Sequence, residues 1–266
     1  MCLHTGRRMD ADFARRRWRN PGRTRARGRM RIRYPAARME SSAGTPAHDR
    51  GFAARMRGDR PLSWLAFVVI LAGSLVTAIL GALLALGWAA LSGTPWRDLG
   101  LVRPRHWALT VVGGVAAGVV FKLAMKSIVM PLLGAPAMNP SFQYLAGNSS
   151  EFHKILPMLV IGAGFGEEVL YRGYFFERCG RLFGKGRAAT VATVIVTTVL
   201  FAAAHYTGQG VPGVEQAFFT GLVFAMLYAR LRALPFLMIA HASFDVFAAW
   251  LIYHRLETTV AHWFFK

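Results

Sequence analysis

Cysteine is nearly absent from this sequence, which contains only Cys2 and Cys179 in 266 residues. Two thiols so far apart form neither a disulfide framework nor the ligand spacing of a zinc-binding module. The first residues also lack the apolar segment that a secretory signal peptide requires. These absences exclude a small disulfide-rich secreted domain and a zinc-finger module.

Acidic residues are scarce as well, with 13 Asp and Glu against 32 Lys and Arg, for a net charge of +19. Residues 1–61 hold 17 Arg and 5 acidic residues, a net of +12, and the other 205 residues carry +7. We predict that residues 1–61 are a disordered leader on anionic lipid, which binds at roughly 1 kcal/mol per nearby basic residue. The alternatives are an organellar transit peptide, or untranslated sequence upstream of a start at Met30, Met39 or Met56. A specific nucleic-acid partner is not expected, because few aromatic residues are interleaved with these arginines.

Long apolar runs dominate residues 62–266. Hydrophobic residues make up 54% of the chain and several runs approach the ~20 residues that span a bilayer. We therefore predict an all-α fold, a polytopic membrane bundle of about six transmembrane helices. The predicted spans are 62–91, a segment beginning near Trp107, 155–176, 188–205, 216–228 and 234–253.

Two features of these spans need interpretation. The run 62–91 is too long for one perpendicular helix and too short for two, which favours one tilted helix. Lys122 and Lys126 interrupt the second span, and we expect both to snorkel to an interface.

The charged loops give conflicting evidence on orientation. The loops after the first, third and fifth spans carry nine basic residues, which the positive-inside rule makes cytoplasmic. With six spans, the basic leader would then lie on the opposite face. Either the leader is not real or the number of spans is wrong by one.

Ionisable residues inside three of the predicted spans are the main functional signal. A charge at the centre of a membrane-spanning helix costs at least ~2.5 kcal/mol and marks functional chemistry. The third span contains FGEEVLYR, in which Glu168 and Arg172 are four apart and can pair on one face. Glu167 points about 100° away from Glu168 and needs another partner.

Two further spans supply the remaining polar groups. The fourth ends in FAAAH, with His205, and the sixth contains HASFD, with His241 and Asp245 four apart. Because unpaired polar groups are costly in lipid, we expect all of them to face one shared pocket. The predicted meeting point contains Glu167, His205, His241 and Asp245, with the Glu168–Arg172 pair beside it.

The three motifs together resemble the CPBP family of intramembrane proteases, also called Abi or CAAX-protease-like proteins. EEVLYR matches EExxxR, FAAAH matches FxxxH and HASFD matches HxxxN or HxxxD, all in order between about residues 155 and 250. The resemblance implies peptide-bond hydrolysis by an intramembrane endopeptidase with its catalytic core in residues 155–250. The family includes proteases that trim prenylated C-termini and others tied to bacteriocin maturation or self-immunity.

The resemblance also implies a role for each motif residue. Glu167 would activate water as the base, His205 would help to hold that water, and His241 with Asp245 would stabilise the oxyanion. Glu168 and Arg172 would form the structural ion pair that fixes the helix. Because a carboxylate cannot donate a hydrogen bond unless protonated, we assign the donor role to His241 and expect Asp245 to orient it or ligate a metal.

A metal ion is an open question at this stage. Glu167, His205 and His241 offer donors of the types that bind Zn²⁺, but the sequence lacks HExxH, the usual metalloprotease motif.

The expected partners are membrane lipid and a peptide or protein substrate, membrane-anchored or lipidated. The expected location is a bacterial plasma membrane, as a multi-pass protein. Two other function classes stay open, a proton- or cation-coupled transporter and a non-catalytic membrane immunity or scaffold protein of the same fold. The transporter has less support, because the polar cluster shows no internal repeat.

Overall fold

The computed structural model describes residues 51, 56, 60–184 and 186–265. The predictions for the basic leader fall almost entirely outside these residues. Within the described residues all regular structure is helical and no strand occurs. The predicted all-α class is therefore confirmed.

Among the described residues nine α-helices make up the fold, and four of them are long and apolar enough to cross a membrane, namely Trp107–Leu132, Arg187–Ala204, Tyr206–Leu231 and Leu234–Tyr253. A polytopic helical membrane bundle is thus confirmed. The bounds are α1 Arg60–Val76, α2 Ala78–Leu91, α3 Trp107–Leu132, α4 Ser149–Pro157, α5 Phe176–Phe183, α6 Arg187–Ala204, α7 Tyr206–Leu231, α8 Leu234–Tyr253 and α9 Glu257–Ala261.

The prediction of a single tilted helix over residues 62–91 is wrong. The chain breaks at Thr77, whose backbone is extended and whose hydroxyl accepts a hydrogen bond from the Leu80 amide at 3.1 Å, capping α2. Leu62 near the start of α1 and Leu91 at the end of α2 line one common cavity. The two helices therefore form an antiparallel hairpin that returns the chain to the face where it began.

This hairpin removes the conflict over orientation. The loops after α2, α5 and α7 lie together, since Arg97, Arg181 and Arg232 line the same surface cavity. Because α1 and α2 start and finish on one face, α1 begins on this same basic face. The start of α1 and the three basic loops of the described chain therefore lie on one face.

The predicted third span lies within one continuous helical run over residues 149–183. Its central part, Met158–Phe175, is wound as a π-helix between α4 and α5. π-helical turns are uncommon and occur frequently at functional sites. Glu167, Glu168 and Arg172 all lie in this wide segment.

Helix α8 occupies the centre of the bundle, where small residues bring other helices against it. Two glycines of α3 form such a face, because Gly114 faces Ile239 and Gly118 faces the backbone of α8. Gly164 of the π-helix packs against Ala242 of α8 in the same way. Close helix approach of this kind depends on residues without large side chains. The helix carrying His241 is thus held tightly from two sides.

Gly118→Ala is expected to destabilise the protein by about 1–3 kcal/mol, because a Cβ there would overlap the Ala240 carbonyl and the Phe244 amide. Gly113→Ala is the matched control on the same helix, since its Cβ would meet only the Phe236 ring at 3.5 Å. Thermal unfolding in detergent measures both. Equal melting temperatures for the two variants would contradict the packing described for α3 and α8.

Candidate active site

A buried ion pair forms the inner wall of the site. Arg172 Nη1 donates to Glu168 Oε1 at 2.9 Å, and both side chains are fully enclosed. The spacing of four residues predicted this pair, and the structure confirms it. A second Arg172 nitrogen, Nη2, donates to the Gly221 carbonyl of α7 at 3.3 Å.

The guanidinium group is also packed between aromatic rings. It lies 4.4 Å from the centroid of Phe201 and 5.6 Å from that of Phe224. Cation–π contacts of this kind are strongest where the cation is removed from water. The sequence alone assigns no role to Phe201, the first residue of the FAAAH motif. Its position four residues before His205 was the only signal that it faces the same site.

His241 connects this ion pair to the remaining acidic groups. Its Nδ1 donates to Glu168 Oε1 at 2.7 Å. Its other nitrogen, Nε2, lies 3.7 Å from Glu167 Oε2 and 3.5 Å from Asp245 Oδ2. The imidazole therefore stands between three carboxylates, and Glu168, expected only to fix its own helix, also orients His241.

Glu167 has the less satisfied of the two adjacent carboxylates. Its side chain is about one-fifth exposed, yet Oε2 is buried and has no hydrogen-bond partner among the described residues. A buried polar atom without a partner is costly, and a functional role is one reason to keep it. Glu168 Oε2 also has no partner among the described residues, but the other Glu168 oxygen accepts from Arg172 and His241, whereas the Glu167 carboxylate accepts no hydrogen bond from them. An oxygen without a hydrogen-bond partner is expected in a carboxylate that binds water or substrate.

His205 lies where α6 ends, as the residue that separates α6 from α7. Its Nδ1 donates to the Phe201 carbonyl at 2.8 Å, which leaves Nε2 available as an acceptor. The Phe201 ring lies 4.7 Å from the His205 ring and 5.9 Å from the His241 ring. The Phe201 ring therefore packs against both histidine rings.

Four of the six predicted site residues line one cavity of about 160 Å³, namely Glu167, His205, His241 and Asp245. Glu168 and Arg172 do not line it but support it from behind. Glu167 and His205 also line a second cavity of about 230 Å³, whose wall includes Ser74 and Ala78 beside the break in the α1–α2 hairpin. The acid and imidazole groups are thus reached from two sides.

Lys122 and Lys126 also line the first cavity, and the prediction that they snorkel to an interface is wrong. They are 7% and 8% exposed. Lys122 donates to Gln216 Oε1 at 2.8 Å, and Lys126 pairs with Glu257 Oε1 at 3.0 Å. Partners from α7 and α9 hold the two lysines inside the bundle, and neither partner is near them in sequence.

The predicted metal ligands do not fit a metal ion as they stand. The described residues contain no group of three His, Cys, Asp or Glu side chains arranged to hold one. Each histidine can offer only Nε2 to a metal, because His241 Nδ1 donates to Glu168 and His205 Nδ1 to a carbonyl, as is usual for metal-bound histidines. A tetrahedral zinc site needs three or four such donors converging on one point. The mechanism proposed below therefore uses no metal ion.

Comparison with known proteins agrees with the three motifs. Residues 150–247, a little over a third of the chain, match the family model described as type II CAAX prenyl endopeptidase Rce1-like. The matched segment contains all six predicted site residues, and the resemblance to CAAX-protease-like proteins is confirmed there. No curated protein and no solved structure matches the chain significantly.

Proposed function

We propose that this chain, whose residues 150–247 match the Rce1-like CAAX prenyl endopeptidase family, hydrolyses a peptide bond with water activated by Glu167. The family match supports an intramembrane endopeptidase in general. The observation that carries the finer proposal is the buried, unpartnered Glu167 Oε2 beside His241 and on the wall of the cavity.

Glu167 acts as the general base. A carboxylate within hydrogen-bond reach of water can remove its proton as the oxygen attacks a carbonyl carbon. In this step the water oxygen bonds to the carbon and one water proton moves to Glu167. The C–N bond then breaks, and the departing amine takes that proton, leaving a new amine and a new carboxylic acid, which releases its remaining proton to give the carboxylate.

The two histidines divide the remaining work. His205 Nε2 accepts a hydrogen bond from the attacking water, since Nδ1 is occupied by the Phe201 carbonyl. His241 Nε2, when protonated, donates to the oxygen that becomes negative as the water adds. Asp245 Oδ2 lies 3.5 Å from that nitrogen and helps to orient the ring. This assignment needs only side chains that line the cavity.

Glu168 and Arg172 are positioning residues. Arg172 holds Glu168 at 2.9 Å, and Glu168 in turn holds His241 Nδ1 at 2.7 Å. The imidazole is thereby fixed in one orientation before substrate arrives. Preorganised donors stabilise a developing charge without reorganisation at the moment of reaction.

The proposed substrate is a membrane-anchored or lipidated peptide or protein. Most of the cavity wall is apolar, with residues such as Leu159 and Ile252 beside the acid and imidazole groups. We propose that the protein works in lipid, in a bacterial plasma membrane, with no resident cofactor required by the steps above.

The proposal is tested with purified protein in lipid nanodiscs and a peptide ending in a prenylated CAAX sequence. Run in H₂¹⁸O, hydrolysis is expected to place one ¹⁸O atom in the new carboxylate, detected by mass spectrometry. Addition of EDTA is expected to leave the rate within about twofold, because no step depends on a metal. Intact peptide combined with acid-driven ion uptake into proteoliposomes would instead identify a transporter.

A further inference from the structure

Lys122 is a buried cation on the wall of the candidate active site. It lines the same cavity as Glu167, His205 and His241, although it comes from α3, outside the segment that matches the family. Its ammonium lies 4.8 Å from the centroid of the Phe244 ring. Phe244 directly precedes Asp245 and lies about 4.5 Å along α8 from His241. Lys122 is therefore packed against the part of α8 that carries His241 and Asp245.

No carboxylate among the described residues lies within ion-pair distance of Lys122. Its hydrogen-bond partner is the neutral amide oxygen Gln216 Oε1 at 2.8 Å. Lys126, one turn further along α3, differs in this respect, because Glu257 Oε1 lies 3.0 Å away. Glu257 also accepts hydrogen bonds from the Asn139 amide and from Gln143 Nε2, at 3.1 and 2.7 Å. Lys126 is therefore paired with a carboxylate within the protein, whereas Lys122 is paired with a neutral amide.

A buried charge without a directly paired counterion is costly, because the side chain has left water while the nearest carboxylates, Asp245 and Glu257, attract it only from beyond ion-pair distance. Gln216 and Phe244 hold Lys122 in place without neutralising it. The surrounding wall is largely apolar, with Phe142, Leu145 and Ala248 among its residues. A ligand that combines apolar groups with one negative charge would satisfy both properties of the cavity.

We propose that Lys122 binds a carboxylate of the substrate and so determines which peptides are cleaved. The inference rests on the proposed endopeptidase function and adds a specificity-determining residue to it. The carboxylate comes either from the free C-terminus of the peptide or from an acidic side chain close to the cleaved bond. Both sources present the same chemistry to the ammonium group.

Binding is measured separately from cleavage, using the Glu167→Gln variant in nanodiscs and fluorescein-labelled prenylated CAAX peptides. The first peptide has a free C-terminus, the second is amidated, and the third is amidated with Glu as its last residue. Fluorescence anisotropy is expected to show the free acid binding at least about tenfold more tightly than the plain amide. Tight binding of the third peptide shows that a side-chain carboxylate is sufficient, and weak binding of that peptide shows that the C-terminal carboxylate is required.

Substitution of the lysine then assigns the effect to one residue. Adding Lys122→Met to Glu167→Gln is expected to remove the preference for the free acid, and Lys122→Arg to keep most of it. Met fits a buried position and removes an unpaired charge, so the fold is expected to survive. Lys126→Met is the matched control. It is expected to lower the melting temperature, by leaving Glu257 unpaired, without changing the ratio of the two affinities.

Two outcomes overturn the inference. Equal affinity of all three peptides for Glu167→Gln would do so, as would an unchanged preference for a carboxylate in the Lys122→Met protein. Neither result touches the proposed hydrolysis, which is judged from ¹⁸O incorporation by the wild type. A preference for the acid without any cleavage would keep Lys122 as a carboxylate site and remove the endopeptidase function.

Discussion

Glu167→Gln is expected to lower kcat for peptide cleavage by about 10²–10⁴-fold, the range that a positioned general base contributes. Glutamine has nearly the same shape as glutamate but cannot take a proton from water. The melting temperature is expected to change little, because Glu167 Oε2 has no hydrogen-bond partner among the described residues. Cleavage rates and thermal unfolding of the same nanodisc preparation measure the two effects.

Glu151→Gln is the matched control for this experiment. Glu151 belongs to the same continuous helical run, is partly exposed, and pairs with Lys154 at 2.7 Å. Its loss is expected to leave kcat within about twofold. Retention of more than about a tenth of wild-type kcat by Glu167→Gln would rule out Glu167 as the base. A large fall in melting temperature would make the lost activity a consequence of unfolding instead.

The sequence predicted the candidate site well because polar groups in a membrane bundle must face the protein interior instead of lipid. Glu167, His205 and His241 lie on three separate helices, and none can be left in lipid without cost. Turning each inward brings them to one cavity, as the structure shows. The i to i+4 spacing similarly predicted the Glu168–Arg172 pair. What spacing could not predict is the bond between Glu168 and His241, 73 residues apart.

The depth of the site was harder to predict. If the third span ended at Phe176, as the sequence predicts, Glu167 would lie about 10 Å closer than His205 to the loop between the two helices, at 1.5 Å per residue. The helical run instead continues to Phe183. Counted from there, Glu167 is roughly 24 Å deep, against roughly 27 Å for His205 counted from Arg187. The sequence does not predict this extension, because the charged residues Glu177 and Arg178 normally indicate that a helix leaves the membrane. The structure buries both of them.

The hairpin and the buried lysines depended on tertiary contacts that no local pattern contains. Neither Gly nor Pro marks the break at Thr77, and the apolar run continues across it. Lys126 is buried because Glu257 reaches it from 131 residues away. A lysine beside a membrane interface and a lysine inside a bundle look the same until such a partner is known.

Arg172→Met is expected to destabilise the protein by about 3–5 kcal/mol, the cost of removing one partner of a buried ion pair. The substitution leaves Glu168 with its charge uncompensated at a fully enclosed position. It also removes the bond to Gly221 and the contact with the Phe201 ring. Unfolding by SDS titration in mixed micelles measures the loss, and Arg172→Lys, which keeps the charge but not the planar contact, is expected to fall between Met and the wild type.

Glu168→Gln in the Arg172→Met background tests the cause. If the cost comes from the unpaired carboxylate, the double variant is expected to regain a large part of the lost stability, since the buried charge is gone. Activity is not expected to return with it, because the amide oxygen of Gln holds the His241 Nδ1 proton less strongly than a carboxylate does. A double variant no more stable than Arg172→Met would show that packing of the arginine matters more than charge. Recovery of both stability and cleavage would show that Glu168 has no part in positioning His241.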